Sequence, residues 1–298
     1  MPSSYIGRYA PSPTGPLHFG SLVAAVGSYL DARAHGGRWL LRMEDLDPPR
    51  EMPGAADGIL RTLEAFGFQW DGEVVYQSRR HEAYAAAAAE LLDSGAAFPC
   101  ACSRSEIADS GLHGLEGPIY PGTCRQGPPA GREARALRLR VPDEVISFDD
   151  GLQGRVRQNL ATDIGDFIIR RADGYYAYQL AVVVDDAFQG VTDVVRGADL
   201  LLSTPRQRFL QRLLGLPHPN HLHLPVAVNQ AGEKLSKQTH ARSLEGQDPG
   251  PLLWQALAFL HQEPSQALRG ASIDEIWSWA VPRWRRASLE EISSQRID

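Results

Sequence analysis

Short apolar runs alternate along this chain with longer stretches whose apolar positions recur at helical spacing. Residues 5–9 form a compact, mostly apolar run that predicts a strand. A loop punctuated by Pro and Gly follows (Ala10-Pro11-Ser12-Pro13-Thr14-Gly15-Pro16), and then small and apolar residues predict a helix from about 20 to 34. Gly36-Gly37 stops that helix, and Arg38-Trp39-Leu40-Leu41-Arg42-Met43 returns as a strand. Strand, loop, helix and strand in this order open a right-handed parallel βαβ fold. Further helices are predicted over about 53–66 and, rich in Ala, over 80–93, the latter ended by Ser94-Gly95. From about 98 to 160 the texture changes. Gly and Pro become dense, two or three short strands follow, and little apolar material is left for a core. The α/β texture resumes near Asp166-Phe167-Ile168-Ile169-Arg170 and continues through Leu180 to Asp186. Beyond Gln238 the pattern is mostly helical, with Trp254, Leu257, Phe259, Leu260, Ile276, Trp277 and Trp279 as its apolar positions.

Composition narrows the class. The chain has 298 residues, 43% hydrophobic and 22% charged, with a net charge of −6, which suits a folded globular protein and excludes a disordered one. No repeat of fixed period points to a solenoid or coiled coil. Residues 1–8 lack the apolar core of a secretion signal, and no stretch approaches the roughly 18 apolar residues of a membrane span. The expectation is a soluble, cytoplasmic protein. Its three cysteines cannot all pair, yet Cys100, Cys102 and Cys124 fall in one segment, which suggests a metal. The acidic balance argues against a general nucleic-acid coat, although arginines gather at 125, 132, 135, 138 and 140 and again at 283, 285 and 286, where they offer phosphate contacts.

Two motifs carry chemistry. In the first, Leu17-His18-Phe19-Gly20-Ser21 ends the Pro/Gly loop where a helix begins, so that free backbone N–H groups and the helix dipole face one point, a natural phosphate cradle. In the second, far downstream, Lys234-Leu235-Ser236-Lys237-Gln238 follows Gly232 and places two ammonium groups where a polyphosphate would develop charge. Alone, the first is a turn with a surface histidine and the second a solvated lysine pair. In this order, with α/β texture between them, they resemble the signatures His-Ile-Gly-His and Lys-Met-Ser-Lys-Ser of the class I aminoacyl-tRNA synthetases. The string Ala10-Pro11-Ser12-Pro13-Thr14-Gly15-Pro16-Leu17-His18-Phe19-Gly20, with Arg42-Met43-Glu44-Asp45-Leu46-Asp47, Val183-Val184-Asp185-Asp186 and Val194-Val195-Arg196-Gly197-Ala198-Asp199, is similar to the glutamyl branch.

Ser21 and Gln238 depart from the last residues of the two signatures, and the chain stops where a glutamyl-tRNA synthetase would begin its anticodon-binding region. These departures and the cysteine cluster are similar to a paralogous family, the glutamyl-queuosine tRNA(Asp) synthetases. That resemblance implies an α/β fold: a Rossmann-like parallel sheet in two catalytic halves, 1–97 and 166–238, an inserted zinc-containing α+β module at 98–165, and a small helical subdomain at 239–298. It implies activation of L-glutamate by ATP with Mg2+, independent of tRNA, and transfer of glutamate to the queuosine base at the wobble position of tRNA(Asp). The partner is then the anticodon stem-loop carrying queuosine, and the protein is expected to be a monomer.

Site residues follow by position. His18, Lys234 and Lys237 are the catalytic candidates, and ATP falls to His18, Gly20, Ser21 and Lys237. Glutamate carries two carboxylates and an ammonium, so it needs cationic or hydroxyl donors and one anion. Arg8, Ser12, Tyr178 and Arg196 match the family's donors and Glu44 its anion, with Tyr9, Ala10 and Pro11 in the same loop. Arg8 and Arg196 can each fork a carboxylate, while Glu44 is alternatively a structural partner of Arg42. Asp185 and Asp186 remain open for the amine or the ribose. One structural zinc is expected on Cys100, Cys102 and Cys124; His113 is the chemically usual fourth ligand and Tyr120 the family's match. The competing expectations are a truncated glutamyl-tRNA synthetase charging a tRNA 3′ end and a nonenzymatic tRNA-binding relic.

Overall fold

The structure, a computed structural model, describes residues 5–230, 232, 234 and 242–296. Strand β1 (Ile6–Tyr9), helix α1 (Phe19–Ala34) and strand β2 (Arg38–Met43) form the βαβ unit expected from the pattern, with Ile6 opposite Arg38 and Tyr9 opposite Leu41 in parallel register. Helix α2 (Ala55–Ala65) leads to β3 (Val75–Tyr76), parallel to β2, and α3 (His81–Asp93) follows. α1 is buried along most of its length because its residues are small and apolar. A Cβ on Gly27 would meet the Leu224 side-chain end at 2.4 Å, so any larger residue there would have to push that fully buried leucine aside.

The next segment holds β4 (Ala97–Cys100), α4 (Arg104–Ala108), β5 (His113–Gly114), β6 (Gly117–Pro118), β7 (Ala136–Leu139), the hairpin β8 (Val145–Asp150) and β9 (Gly154–Asn159), α5 (Leu160–Asp163) and β10 (Phe167–Arg170). β10 does not return to the parallel sheet. It pairs antiparallel with β7 in the order β10-β7-β4, since a short apolar run reads alike in either kind of sheet. Only Phe98, Cys100, Tyr120, Cys124 and Ala136 make a separate small core here.

The parallel layer resumes after α6 (Tyr178–Phe188), with β11 (Asp193–Gly197), α7 (Thr204–Leu213) and β12 (Asn220–Leu224). β11 comes alongside β1 where the Ile6 carbonyl accepts from the Thr192 N–H at 2.9 Å, giving the succession β3-β2-β1-β11-β12 of a Rossmann-like sheet. After β13 (Val226–Val228) come α8 (Pro249–Phe259), α9 (Ile273–Ala280) and β14 (Ser294–Arg296). The tail is not wholly helical, because β14 pairs in parallel with β13. Ser294-Gln295-Arg296 has no apolar alternation by which a strand could be recognised.

The tail shares its core with α1. Trp39, fully buried, stacks on Phe68 and Tyr9, and Trp277 of α9 closes on Phe68 and Tyr29 while donating to the Phe66 carbonyl at 3.0 Å. Buried Asp31 of α1 accepts two hydrogen bonds from Arg286 and one from Trp284, and Tyr5 donates to it as well. Among the described residues no helix is long and apolar enough to cross a membrane.

Candidate active site

The Pro/Gly loop after β1 is pinned by its own carbonyls: Pro11 accepts from the Glu44 N–H and Pro13 from the Met52 N–H, each at 3.0 Å. It delivers His18 as the N-cap of α1. His18 Nδ1 accepts from the Ser21 N–H at 3.4 Å, and Ser21 Oγ accepts from the His18 N–H at 3.5 Å. Ser21, the departure from the usual signature, thus closes a capping box that fixes the histidine over the helix start. The first turn of α1 holds no acidic residue, which leaves its positive end open to an anion.

The described residues on either side of the second motif are both held by the body of the fold. Lys234 bridges to Val228 at the end of β13 and pairs with Asp199, while Ser243 bridges to His18 and the Leu244 N–H donates to the Leu17 carbonyl at 2.9 Å. The two flanks of 235–241 are therefore anchored, one on β13 and Asp199 and the other on His18 itself. Lys237 lies outside the described residues.

Beside the loop sits a buried cluster of charge. Arg8 is 4% exposed and donates from Nε to Asp186 at 3.2 Å. Arg42, fully buried, lies 2.8 Å from Asp186 and 3.6 Å from Glu44. Burial would raise the Asp186 carboxyl, but the two arginines outweigh it and hold Asp186 below the usual carboxylate range. Glu44 differs. Burial raises its pKa, and Arg42, Arg8 and Arg196 offset this only in part. Arg42 is thus chiefly matched by Asp186, which leaves Glu44 the anion best placed to gain from an incoming ammonium. Asp185 faces the other way, accepting from Gln77 (2.9 Å), Tyr84 (2.6 Å) and Arg80 (2.5 Å), so it ties α6 to α3 and is closed to ligand.

Arg196 completes the wall. Its NH1 lies 3.3 Å from the Tyr178 hydroxyl, and its other nitrogens turn inward, Nε to His223 Nε2 at 3.1 Å and NH2 to Thr204 Oγ1, Gln207 Oε1 and the Leu200 carbonyl. Arg196 can therefore meet a carboxylate only through NH1, and the bidentate fork expected of it is taken up by the protein. Arg8, with Nε on Asp186, keeps the geometry for a terminal fork. Tyr9 is also committed, its hydroxyl on the Ser21 carbonyl at 3.2 Å and its ring on Trp39, so only its backbone faces the loop with Ala10, Pro11 and exposed Ser12. Thr204, Gln207 and His223 were not singled out from sequence, since no motif links them to Arg196.

In the inserted segment the three cysteine sulfurs lie within 4.8 Å of one another. The Tyr120 hydroxyl is 3.5 Å from Cys100 Sγ and 3.7 Å from Cys102 Sγ, Cys102 and Cys124 are 3.6 Å apart at sulfur, and the Cys124 N–H donates to the same hydroxyl at 2.7 Å. His113 is exposed, its Nδ1 on the Gly111 carbonyl, and is not part of the cluster. The arginines of this segment do not form a free basic face. Arg125 makes two bonds to Asp166, Arg132 pairs with Glu106, Arg138 is buried over the Tyr120 ring, and Arg140 donates to the carbonyls of Gly95 and Arg125. In the tail Arg286 is held by Asp31 and Arg285 by Glu263. Arg132, Arg135, Arg283 and Arg285 are nonetheless exposed.

A family model for the catalytic domain of class I tRNA synthetases (E and Q) matches residues 6–249. A glutamyl-Q tRNA(Asp) synthetase of Chromobacterium violaceum is 62% identical over 281 residues, 94% of this chain and 93% of that protein. The chain belongs to the glutamyl-Q tRNA(Asp) synthetase family. A second relative of that name, from Dechloromonas aromatica, is 63% identical over 95% of each chain. The glutamate-tRNA synthetase of Elizabethkingia anophelis shares the fold, with a TM-score of 0.79 at 23% identity over 99% of this chain and 68% of the other. Family membership makes the protein a ligase of the class I synthetase type, which uses ATP.

Proposed function

We propose that this protein activates L-glutamate with ATP, without needing tRNA, and transfers it to the queuosine base at the wobble position of tRNA(Asp), as the names of its relatives suggest. The observation that carries this is the convergence of Arg8, Glu44, Tyr178 and Arg196 in one buried cluster that adjoins the His18 cap through the 10–18 loop. A glutamate carboxylate oxygen attacks the α-phosphorus of ATP, pyrophosphate leaves, and glutamyl-adenylate forms. A hydroxyl of the queuosine diol then attacks the acyl carbon and AMP leaves. The first step needs positioning and charge stabilisation rather than a protein nucleophile. Arg8, Ser12, Tyr178 and Arg196 hold the carboxylates, Glu44 the ammonium, and the 9–12 backbone lines the pocket. His18, Gly20, Ser21 and the α1 N-terminus hold the phosphates of ATP with Mg2+, and Lys234 and Lys237 act on the leaving pyrophosphate.

The cysteine cluster suits one structural zinc. A tetrahedron with Zn–S bonds of about 2.3 Å has edges of about 3.8 Å, close to the separations among Cys100, Cys102, Tyr120 and Cys124. Arg138, 3.2 Å from Cys100 Sγ, would offset the negative charge of three thiolates. Burial pushes the Tyr120 phenol up, so it would release its proton to solvent only with a cation held in the cluster to stabilise the phenolate. We assign residues 1–97 and 166–238 to the catalytic body, with β10 lent to the sheet of the 98–165 zinc module, and 239–298 to a tail that braces α1. We also propose that it acts as a monomer in the cytoplasm, where its substrates are found. ATP–pyrophosphate exchange dependent on glutamate and proceeding without tRNA tests the first half-reaction; no exchange, or exchange only with tRNA added, would overturn it.

A further inference from the structure

Behind Arg196 lies a buried polar chain that reaches into the inserted segment. Asp150, at the tip of the β8–β9 hairpin, accepts on Oδ1 from the N–H groups of Leu152 and Gln153 at 3.0 Å and of His223 at 3.2 Å. Its Oδ2 is 2.6 Å from His223 Nδ1, and neither side chain is exposed. Burial alone would raise the Asp150 carboxyl, but His223 and the two backbone donors outweigh it and keep it below the usual range. A charged carboxylate on that side requires a proton on Nδ1. Nε2 is then a lone pair, and it faces the Nε–H of Arg196 at 3.1 Å.

We propose that His223, fixed by Asp150 as the neutral Nδ1–H tautomer, is the positioning residue that sets the Arg196 guanidinium for the glutamate carboxylate. This rests on Arg196 being a glutamate ligand. A guanidinium on a flexible stem reaches a carboxylate in a fixed plane only if its inner edge is anchored, and here His223, Thr204 and Gln207 anchor Nε and NH2 and leave NH1 beside Tyr178. The opposite tautomer, or the imidazolium, would aim N–H at N–H and drive the guanidinium out of that plane.

The groups facing the ring agree with a neutral imidazole. Asp150 approaches from β8, Arg196 from β11, Asp199 from the turn after it, and Thr204 from α7; on its own strand His221 stacks on it at 6.0 Å. Burial lowers the His223 pKa, Arg196 adds to this, and Asp150 opposes without reversing it. His221 is lowered further by burial and by Arg196 and His223, so it brings no second charge.

A purely structural tie between hairpin and strand would need neither the tautomer nor the acceptor, and this separates the two roles. In the full chain, H223L removes the acceptor and H223Q keeps an oxygen for Arg196. In glutamate-dependent exchange H223L should raise the glutamate KM on the order of 10-fold or more, the scale of one hydrogen bond to a charged group, while the KM for ATP stays within about twofold. H223Q should recover most of the loss, and D150N should move the glutamate KM in the same direction as H223L. Nitrogen-15 NMR of the wild-type ring should show Nε2 unprotonated at neutral pH. Should H223L fail to fold, D150N, H223Q and the ring spectrum decide. An unchanged glutamate KM in H223L or D150N, equal losses in H223L and H223Q, or a proton on Nε2 would overturn the role of His223. R196A separates the two levels. If its glutamate KM is unchanged, the assignment of Arg196 falls, and this inference with it; if it rises while D150N and H223L stay normal, only the role of His223 falls.

Discussion

Asp186 lies between Arg8 and Arg42, 3.2 Å from the Nε of one and 2.8 Å from NH2 of the other, with all three side chains almost wholly out of water. One carboxylate thus answers two arginines, and the second anion of the group, Glu44, is left with a raised pKa. A site with a surplus of cationic donors and one under-compensated carboxylate is complementary to a ligand bearing two carboxylates and an ammonium.

The pair has a stability consequence with a definite sign. Because the folded Asp186 pKa lies below the unfolded value, its contribution is present at neutral pH and is lost as pH falls through the folded pKa, below about 4. Asp186→Asn should destabilise the fold at pH 7 by about 3–5 kcal/mol, the cost of leaving a buried charge unmatched. Denaturant titrations at pH 7 and pH 3 should show the gap narrowing in acid. A constant difference across that range would mean that the pairing with Arg8 and Arg42 is not its source.

Removing the ligand-facing groups should act on binding. Arg8→Ala and Glu44→Ala should raise the glutamate KM by on the order of 100-fold, since each strands one charge of a buried ligand, while direct titration of ATP changes little. His18→Ala and Lys237→Ala should instead lower the exchange rate at saturating glutamate by on the order of 100-fold, the loss expected of one preorganised donor to the phosphates. Full exchange activity in both of the latter variants would remove them from the reaction.

How far the sequence reaches can be judged residue by residue. Gly36-Gly37 and the Pro/Gly loop announced the βαβ unit because local punctuation alone decides where those elements stop. Arg8, Glu44, Tyr178 and Arg196 were legible through motif position, and their approach to one cluster needed only the fold. The surroundings of Arg196 were not legible. Asp150 lies in the inserted hairpin and His223 on a later strand, and no local pattern connects residues that only a sheet brings together. The partners of the arginines at 125, 138 and 286 were not legible for the same reason, since Asp166, Tyr120 and Asp31 are remote in sequence.

The metal assignment predicts about one zinc per chain in freshly isolated protein that has not met a chelator. Cys124→Ser should lose the metal and loosen the segment from 98 to 125, measured as faster amide exchange there, because its own core is limited to a few side chains around the sulfurs. Glutamate-dependent exchange should be largely kept, since the residues assigned to adenylation lie on other elements. Elemental analysis without zinc would end the assignment.

The transfer step decides which part of a tRNA is served. The diol of queuosine resembles the ribose diol on which ordinary synthetases place an amino acid, so a catalytic body of this fold can act at the anticodon if that loop is what it holds. Transfer of glutamate should therefore occur to tRNA(Asp) bearing queuosine and survive removal of the 3′-terminal adenosine. It should fail on the unmodified transcript and after periodate cleaves the queuosine diol. Salt dependence is a second measure. Most of the clustered arginines already have partners within the chain and the net charge is −6, so the slope of log affinity against log salt should be shallower than eight free arginines would give. A steep slope would mean that those pairs open when tRNA binds. Efficient charging of unmodified tRNA(Glu), lost on trimming its 3′ end, would establish a truncated glutamyl-tRNA synthetase instead, and with it an acceptor-end role for the same pocket.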